Sequence, residues 1–312
     1  MKIALIIVFI VFFIFLVLSI ISYNIFCSFL KRENKERGYY ANSEPWKSIF
    51  ENLMVEKEWF FSKLYERLQI INEGYKLNGY YLSQESENTV IILHGWKDDA
   101  IIRMDSVRLY YDMGFNVFLP DIRSHGKSEG KYIGLGCVDQ GDVIKWIEFL
   151  QEKEKHNCTF VLDGFSMGGV TALALSGNTN LPKSVKAIIS EGAFTSIKEL
   201  LPTKLKINLP ILKYIMFFLV EACSKIFAGY GFNENSPEQM IQKSNIPTLI
   251  IHGVNDDFVP LYMSKKLFSL CSSEKEYFVS EIGAHGTIAW HEKEVYQEKI
   301  KTFLKKYLNL RS

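Results

Sequence analysis

From Ile3 to Leu30 the chain carries no charged residue and consists mostly of Ile, Leu, Val and Phe. About 20 apolar residues cross a bilayer, so this run is long enough to span one even when tilted. It is too long for the apolar region of a usual cleavable signal peptide, and no small-x-small cleavage pattern follows it. An uncleaved transmembrane anchor is therefore expected over residues 1–30. Residues 31–73 mix aromatic and charged positions, with Trp46, Phe50, Trp59, Phe60 and Phe61 prominent. That mixture predicts a connector of one or two amphipathic helices.

From about Gly74 the rhythm changes. Short β-rich runs lie at Tyr75–Leu82, Thr89–Leu93, Asn116–Leu119, Thr159–Leu162, Val185–Ser190, Thr248–Ile251 and Glu276–Val279. Runs such as VIIL and TLII are apolar without alternation, as strands buried on both faces require. Helical patterns such as Gly141–Lys153 and Gly168–Ser176 separate them. Strand–helix alternation of this kind predicts a doubly wound α/β domain over 74–312, its sheet mainly parallel with helices on both faces. Residues 195–245 break the alternation, with helical character and an apolar cluster from Ile211 to Val220. An excursion this long between strands usually forms a cap over a functional site; an ordinary packing helix would explain the apolar part nearly as well.

Charge and composition narrow the partners. A net charge of +1 gives no reason to expect nucleic acid. The five cysteines (Cys27, Cys137, Cys158, Cys223 and Cys271) form no CxxC pair, so they suggest free thiols and a reducing compartment. Lys31, Arg32, Lys35 and Arg37 follow the apolar run, against Lys2 alone before it. By the positive-inside rule the domain then faces the cytoplasm from a single-pass anchor in the cell membrane. No His, Asp and Glu cluster has a metal-like spacing, and neither metal nor cofactor is expected.

The chemistry-bearing residues begin with Gly164-Phe165-Ser166-Met167-Gly168, placed directly after the strand TFVL and directly before a helical pattern. A strand-to-helix turn of this type holds a nucleophile in a strained conformation, and the glycines two residues either side leave room for it. It also presents the serine oxygen at a helix N-terminus, where free amides and the dipole favour negative charge. A serine needs a base, and the base an orienting acid. His285, in Gly283-Ala284-His285-Gly286, follows the last predicted strand, and an acid candidate lies in the turn HGVNDDFVP at 252–260. The chain order Ser, Asp, His is the one used on α/β sheets of this kind. Of the other histidines, His94 and His125 lie in loops, His252 precedes the acid turn, and His291 falls in a helical pattern outside the GxHG turn. Structural roles fit them better than that of the base.

From about Gly74 to Tyr307 these motifs resemble the α/β-hydrolases, in particular the serine aminopeptidase-like and lysophospholipase-like esterases. The resemblance implies the α/β-hydrolase fold with a helical cap, here preceded by a transmembrane helix. Matched to the family pattern HGxxDxxVP, the acid is Asp256, and Asp257 takes a variable position. LHGW at 93–96 resembles the family's oxyanion loop, which implies oxyanion donors at the backbone N–H groups of Trp96 and Met167. DIRSHGKSEG at 121–130 resembles a structural turn beside the site. The expected activity is cleavage of a carboxylic ester through an acyl-enzyme, on a small-molecule or lipid-like substrate, with the membrane engaged by the N-terminal helix. A peptidase or an acyltransferase could run on the same triad, and a binding protein that kept the fold but lost the chemistry is the rival of another class. Oligomeric state is not legible.

Overall fold

The computed structural model describes residues 1–32, 46–136, 138–154, 158–205, 207–232, 234–308 and 310. Cys137, Glu33, Lys35, Glu36 and Arg37 lie outside them, as do the side chains of Trp46 and Phe50 within a helix. Among the described residues the eight strands are β1 (Glu66–Asn72), β2 (Tyr75–Leu82), β3 (Asn88–Leu93), β4 (Asn116–Pro120), β5 (Thr159–Phe165), β6 (Val185–Glu191), β7 (Thr248–Gly253) and β8 (Lys275–Ser280). They form one sheet in the order β1-β2-β4-β3-β5-β6-β7-β8. β2 is antiparallel to both β1 and β4, and every other neighbouring pair is parallel. The helices are α1 (Lys2–Leu30), α2 (Trp46–Phe61), α3 (Met104–Asp112), α4 (Gln140–Glu154), α5 (Met167–Leu175), α6 (Ile197–Lys204), α7 (Pro210–Cys223), α8 (Pro237–Met240), α9 (Leu261–Leu270), α10 (Ile288–His291) and α11 (Lys293–Leu308).

Successive strand residues point to opposite sides of the sheet. Ile91 and Leu93 therefore join one core with Trp146 of α4, Leu173 of α5 and Met263 of α9. Val90 and Ile92 join a second core with Phe60 of α2, Tyr110 of α3 and Phe303 of α11. Two covered faces explain why VIIL has no polar position: each side chain contributes roughly 1.5–3 kcal/mol by leaving water, whichever way it points.

Two expectations need correction. Residues 66–72 are not part of a helical connector; they form β1, the antiparallel edge strand, which turns into β2 through Glu73 (φ 49°) and Gly74 (φ 81°). Leu68 and Ile70 are buried while their neighbours are more exposed, so the edge strand shows only a short alternation. Nor is α1 wholly outside the domain. Its residues from Ile3 to Val17 are exposed, but Ser22, Phe26 and Leu30, four residues apart on one stripe, are buried against the domain. Phe26 packs beside Tyr132 and Phe227, and the Ser22 hydroxyl lies 3.6 Å from Met216 Sδ of α7. The chain after α1 is tied down too: Ile133 N–H donates to Leu30 O, and the Arg32 guanidinium donates to the carbonyls of Gly126 and Ser128. Between β6 and β7 the excursion consists of α6, α7, a π-helical turn at Ser224–Ala228 and α8.

Candidate active site

β5 ends inside the sheet, and the chain reverses into α5 across a single residue. Ser166 holds that position with φ 52° and ψ −115°, a conformation side-chain-bearing residues rarely adopt. The glycines around it are steric necessities. A Cβ on Gly164 would lie 2.2 Å from Gly168 O, and one on Gly168 would lie 2.2 Å from Leu93 O. The bend is also fastened, because Ser166 N–H donates to Glu191 O at the end of β6 (2.7 Å).

Loops from two other strand ends converge on the serine. Ser166 Oγ is 3.0 Å from His285 Nε2, and His285 Nδ1 is 2.7 Å from Asp256 Oδ2. The three residues come from positions far apart in sequence and meet in one line. Asp256 is buried, and its second oxygen accepts the N–H groups of Phe258 and Val259. Burial alone would raise its pKa. The hydrogen bonds from His252, His285 and Val259, with the imidazole's charge when protonated, win and hold the carboxyl well below the usual range. Asp257, by contrast, is exposed, and its backbone carbonyl accepts a hydrogen bond from Lys204 Nζ. A base whose Nδ1–H is held by an ionised carboxylate is fixed in the tautomer that leaves Nε2 free to accept the serine proton.

Residues that the sequence did not single out shape this line. Phe165 and Phe258 flank the imidazole at centroid distances of 4.9 and 5.1 Å. Gly192, at φ +63°, sits so close that a Cβ would meet His285 Cε1 at 3.2 Å. Phe258 lies inside the HGVNDDFVP turn, where its aromatic character was the available signal; Gly192 carried none.

Three further histidines, His94, His125 and His252, are held by backbone. His94 Nε2 accepts Ile122 N–H and its Nδ1–H donates to Gly95 O, while His125 Nε2 accepts Lys97 N–H and its Nδ1–H donates to Arg123 O. Burial, reinforced by the neighbouring His94, lowers His125 to about 3, so it stays neutral. His252 donates through Nε2 to Val259 O and lies 3.3 Å from Asp256 Oδ2, buttressing the acid turn. His291 is exposed at the end of α10.

The loop after β3 comes close to the turn at Ser166, since a Cβ on Gly95 would meet Phe165 Cδ1 at 3.1 Å. The amides of Trp96 and Met167 donate to no protein acceptor among the described residues. The indole of Trp96 lies between Phe29 of α1, stacked at 5.6 Å, and Phe258, stacked at 6.3 Å, with Nε1–H donating to Phe29 O at 2.7 Å. The end of α1 thus holds the loop that carries this amide. Among the described residues no His, Cys, Asp and Glu cluster could hold a metal.

Comparison with known proteins matches this architecture. The family model for serine aminopeptidase S33 covers residues 84–241, which include Trp96, Ser166 and Met167. Protein bem46 of Schizosaccharomyces pombe is 28% identical over 237 residues, covering 74% of this chain and 73% of its own. A Saccharomyces cerevisiae relative bearing the name uncharacterized membrane protein YNL320W is 28% identical over 226 residues, or 71% of this chain and 73% of its own. Among solved structures, the Pyrococcus furiosus esterase Pf2001 superposes with a TM-score of 0.66 at 21% identity, covering 80% of this chain and 94% of that one. The enol-lactonase of Burkholderia xenovorans LB400 gives 0.56 at 16% identity, with 76% and 99% covered. These structural likenesses show the α/β-hydrolase fold.

Proposed function

The chain belongs to the serine aminopeptidase S33 family of α/β-hydrolases, and on that premise we propose that it is a serine hydrolase cleaving carboxylic esters of lipophilic acyl groups, held to the cell membrane by α1. The observation that carries this reading is the hydrogen-bonded line from Ser166 through His285 to Asp256. In the proposed reaction His285 Nε2 takes the Ser166 hydroxyl proton as Oγ attacks the ester carbonyl. The tetrahedral oxyanion accepts hydrogen bonds from the amides of Trp96 and Met167, each worth about 3 kcal/mol of barrier in comparable enzymes. His285 then gives its proton to the departing alkoxide, which leaves as an alcohol. Water, deprotonated by the same nitrogen, attacks the acyl-enzyme, and His285 returns that proton to Ser166 Oγ as the carboxylic acid is released. Asp256 stays ionised throughout and stabilises the imidazolium. The residues between β6 and β7 serve as the cap.

Membrane attachment rests on the length and apolar composition of α1 and on the name of the Saccharomyces cerevisiae relative. Lys31 and Arg32 at the end of the span favour the cytoplasmic side for the domain. Hydrolysis of p-nitrophenyl esters of graded chain length by the detergent-solubilised protein tests the reaction. The expected result is turnover that improves from acetate towards longer acyl chains and disappears in Ser166→Ala. A protein that cleaved peptides but no ester would favour the peptidase on the same triad.

A further inference from the structure

We propose that the outer face of α7 is inserted in the membrane surface beside α1, so that the catalytic domain lies flat against the bilayer and takes its ester substrate from the bilayer. This deepens the function proposed above and rests on its reading of α1 as a membrane span.

The geometry begins with where α1 stops being free. Lys2 to Ile21 is about 20 residues, or about 30 Å of helix, the thickness of a bilayer's hydrocarbon core. The next turn, at Ser22 and Tyr23, already touches the domain: Ser22 meets Met216, and Tyr23 packs edge-on against Phe227 at 5.3 Å. No linker separates span from domain. Whatever packs on Ser22 and Tyr23 therefore sits at the level where the chain leaves the lipid, and α7 with the π-helical turn after it is what packs there.

α7 is also built for that position. Met216, Phe217 and Val220 face inward and are buried. Ile211, Tyr214, Ile215 and Phe218, spaced i, i+3, i+4 and i+7, form an exposed stripe, with Ile211 at 78% and Phe218 at 62% exposure. The turn at Ser224–Ala228 extends the apolar surface with Ile226 and Phe227. A contiguous apolar face of this size on a water-soluble domain marks a contact surface. Its continuity with α1 selects lipid as the occupant. Lys225, beside the π-helical turn and 3.3 Å from Glu221 Oε1, would meet lipid phosphates at the rim. The same excursion reaches the reaction centre, since Lys204 at the end of α6 lies over the Phe258 ring at 4.4 Å, and Phe258 packs on His285. Substrate arriving along the α7 face would come straight from the lipid.

The test uses the full chain reconstituted in phosphatidylcholine vesicles, with Phe218→Trp and, as a second exposed site, Ile211→Trp. The difference in emission between each variant and the wild type, whose five tryptophans set the baseline, reports on the new indole alone. In vesicles whose acyl chains carry bromine, this emission should be blue-shifted and quenched by about half or more, as for a side chain some 5–10 Å into the headgroup boundary. Unquenched emission from both variants, with the protein still in the membrane after an alkaline carbonate wash, would overturn the insertion and leave the span intact. A second copy or a protein partner would then be the occupant of the α7 face. Loss of the wild type itself in that wash would overturn the span, and the proposal with it. Neither readout needs enzymatic turnover, so failure of the esterase reading is distinguishable from both.

Discussion

Phe26→Ala tests whether the last turns of α1 are part of the folded domain or only its tether. Phe26 is fully buried, and its ring packs beside Tyr23, Tyr132 and Phe227 at centroid distances of 6.1, 5.3 and 5.8 Å. Removing a buried phenylalanine ring removes its transfer free energy and leaves a cavity, together about 3–5 kcal/mol. For a domain of this size, each kcal/mol lowers the unfolding midpoint by roughly 2–4 °C, so a fall of roughly 6–20 °C is expected. The control is Phe12→Ala, on the exposed part of α1, where the change should stay within about 0.5 kcal/mol. Near-UV circular dichroism of the detergent-solubilised proteins gives both midpoints under one set of conditions. If Phe26→Ala melts within about 2 °C of the wild type, the docked stripe does not contribute to the fold and the structural argument for it is wrong.

The two adjacent aspartates should behave very differently. Asp256→Asn should cut kcat by about 10⁴, since the imidazole loses its orienting carboxylate, whereas Asp257→Asn should keep most of the activity because that side chain is exposed; equal loss in esterase assays would refute the assignment. Stability should also depend on pH through Asp139. Its carboxyl is buried and accepts Gly136 N–H through one oxygen, and burial raises it to about 7. A raised carboxyl pKa means the folded state binds more protons between about pH 4 and 7, so stability is present at the acidic end and is lost as pH rises through that window. Asp139→Asn should flatten this slope in denaturant titrations at pH 5 and 8; an unchanged slope would show that Asp139 is not its source. Gly168→Ala should leave little folded, active protein, because its Cβ would strike the backbone at Leu93 O; near-normal expression and activity would contradict the steric argument.

Much of the sheet was legible because the interior strands are covered on both faces, which leaves uninterrupted apolar runs such as VIIL at Val90–Leu93. The bend at Ser166 was legible for a similar reason: only glycine fits at 164 and 168. β1 was not, since an edge strand at residues 66–72 buries little more than Leu68 and Ile70 and begins on the charged pair Glu66 and Arg67. The docking of α1 was hidden more deeply. In a run that is apolar all round, no periodicity distinguishes the exposed face from the stripe of Ser22, Phe26 and Leu30 that meets α7 and its neighbours. Asp256 and Asp257 are adjacent and chemically identical, so only the family pattern separated them in the sequence. In the structure burial does, together with the turn that aims Asp256 at His285.

Reaction of the detergent-solubilised protein with a fluorophosphonate, followed by peptide mass mapping, tests the activated serine most directly. Phosphonylation confined to the peptide containing Ser166, and absent from Ser166→Ala, is the predicted result. A folded wild type that stays unlabelled, or that labels equally in Ser166→Ala, would contradict it.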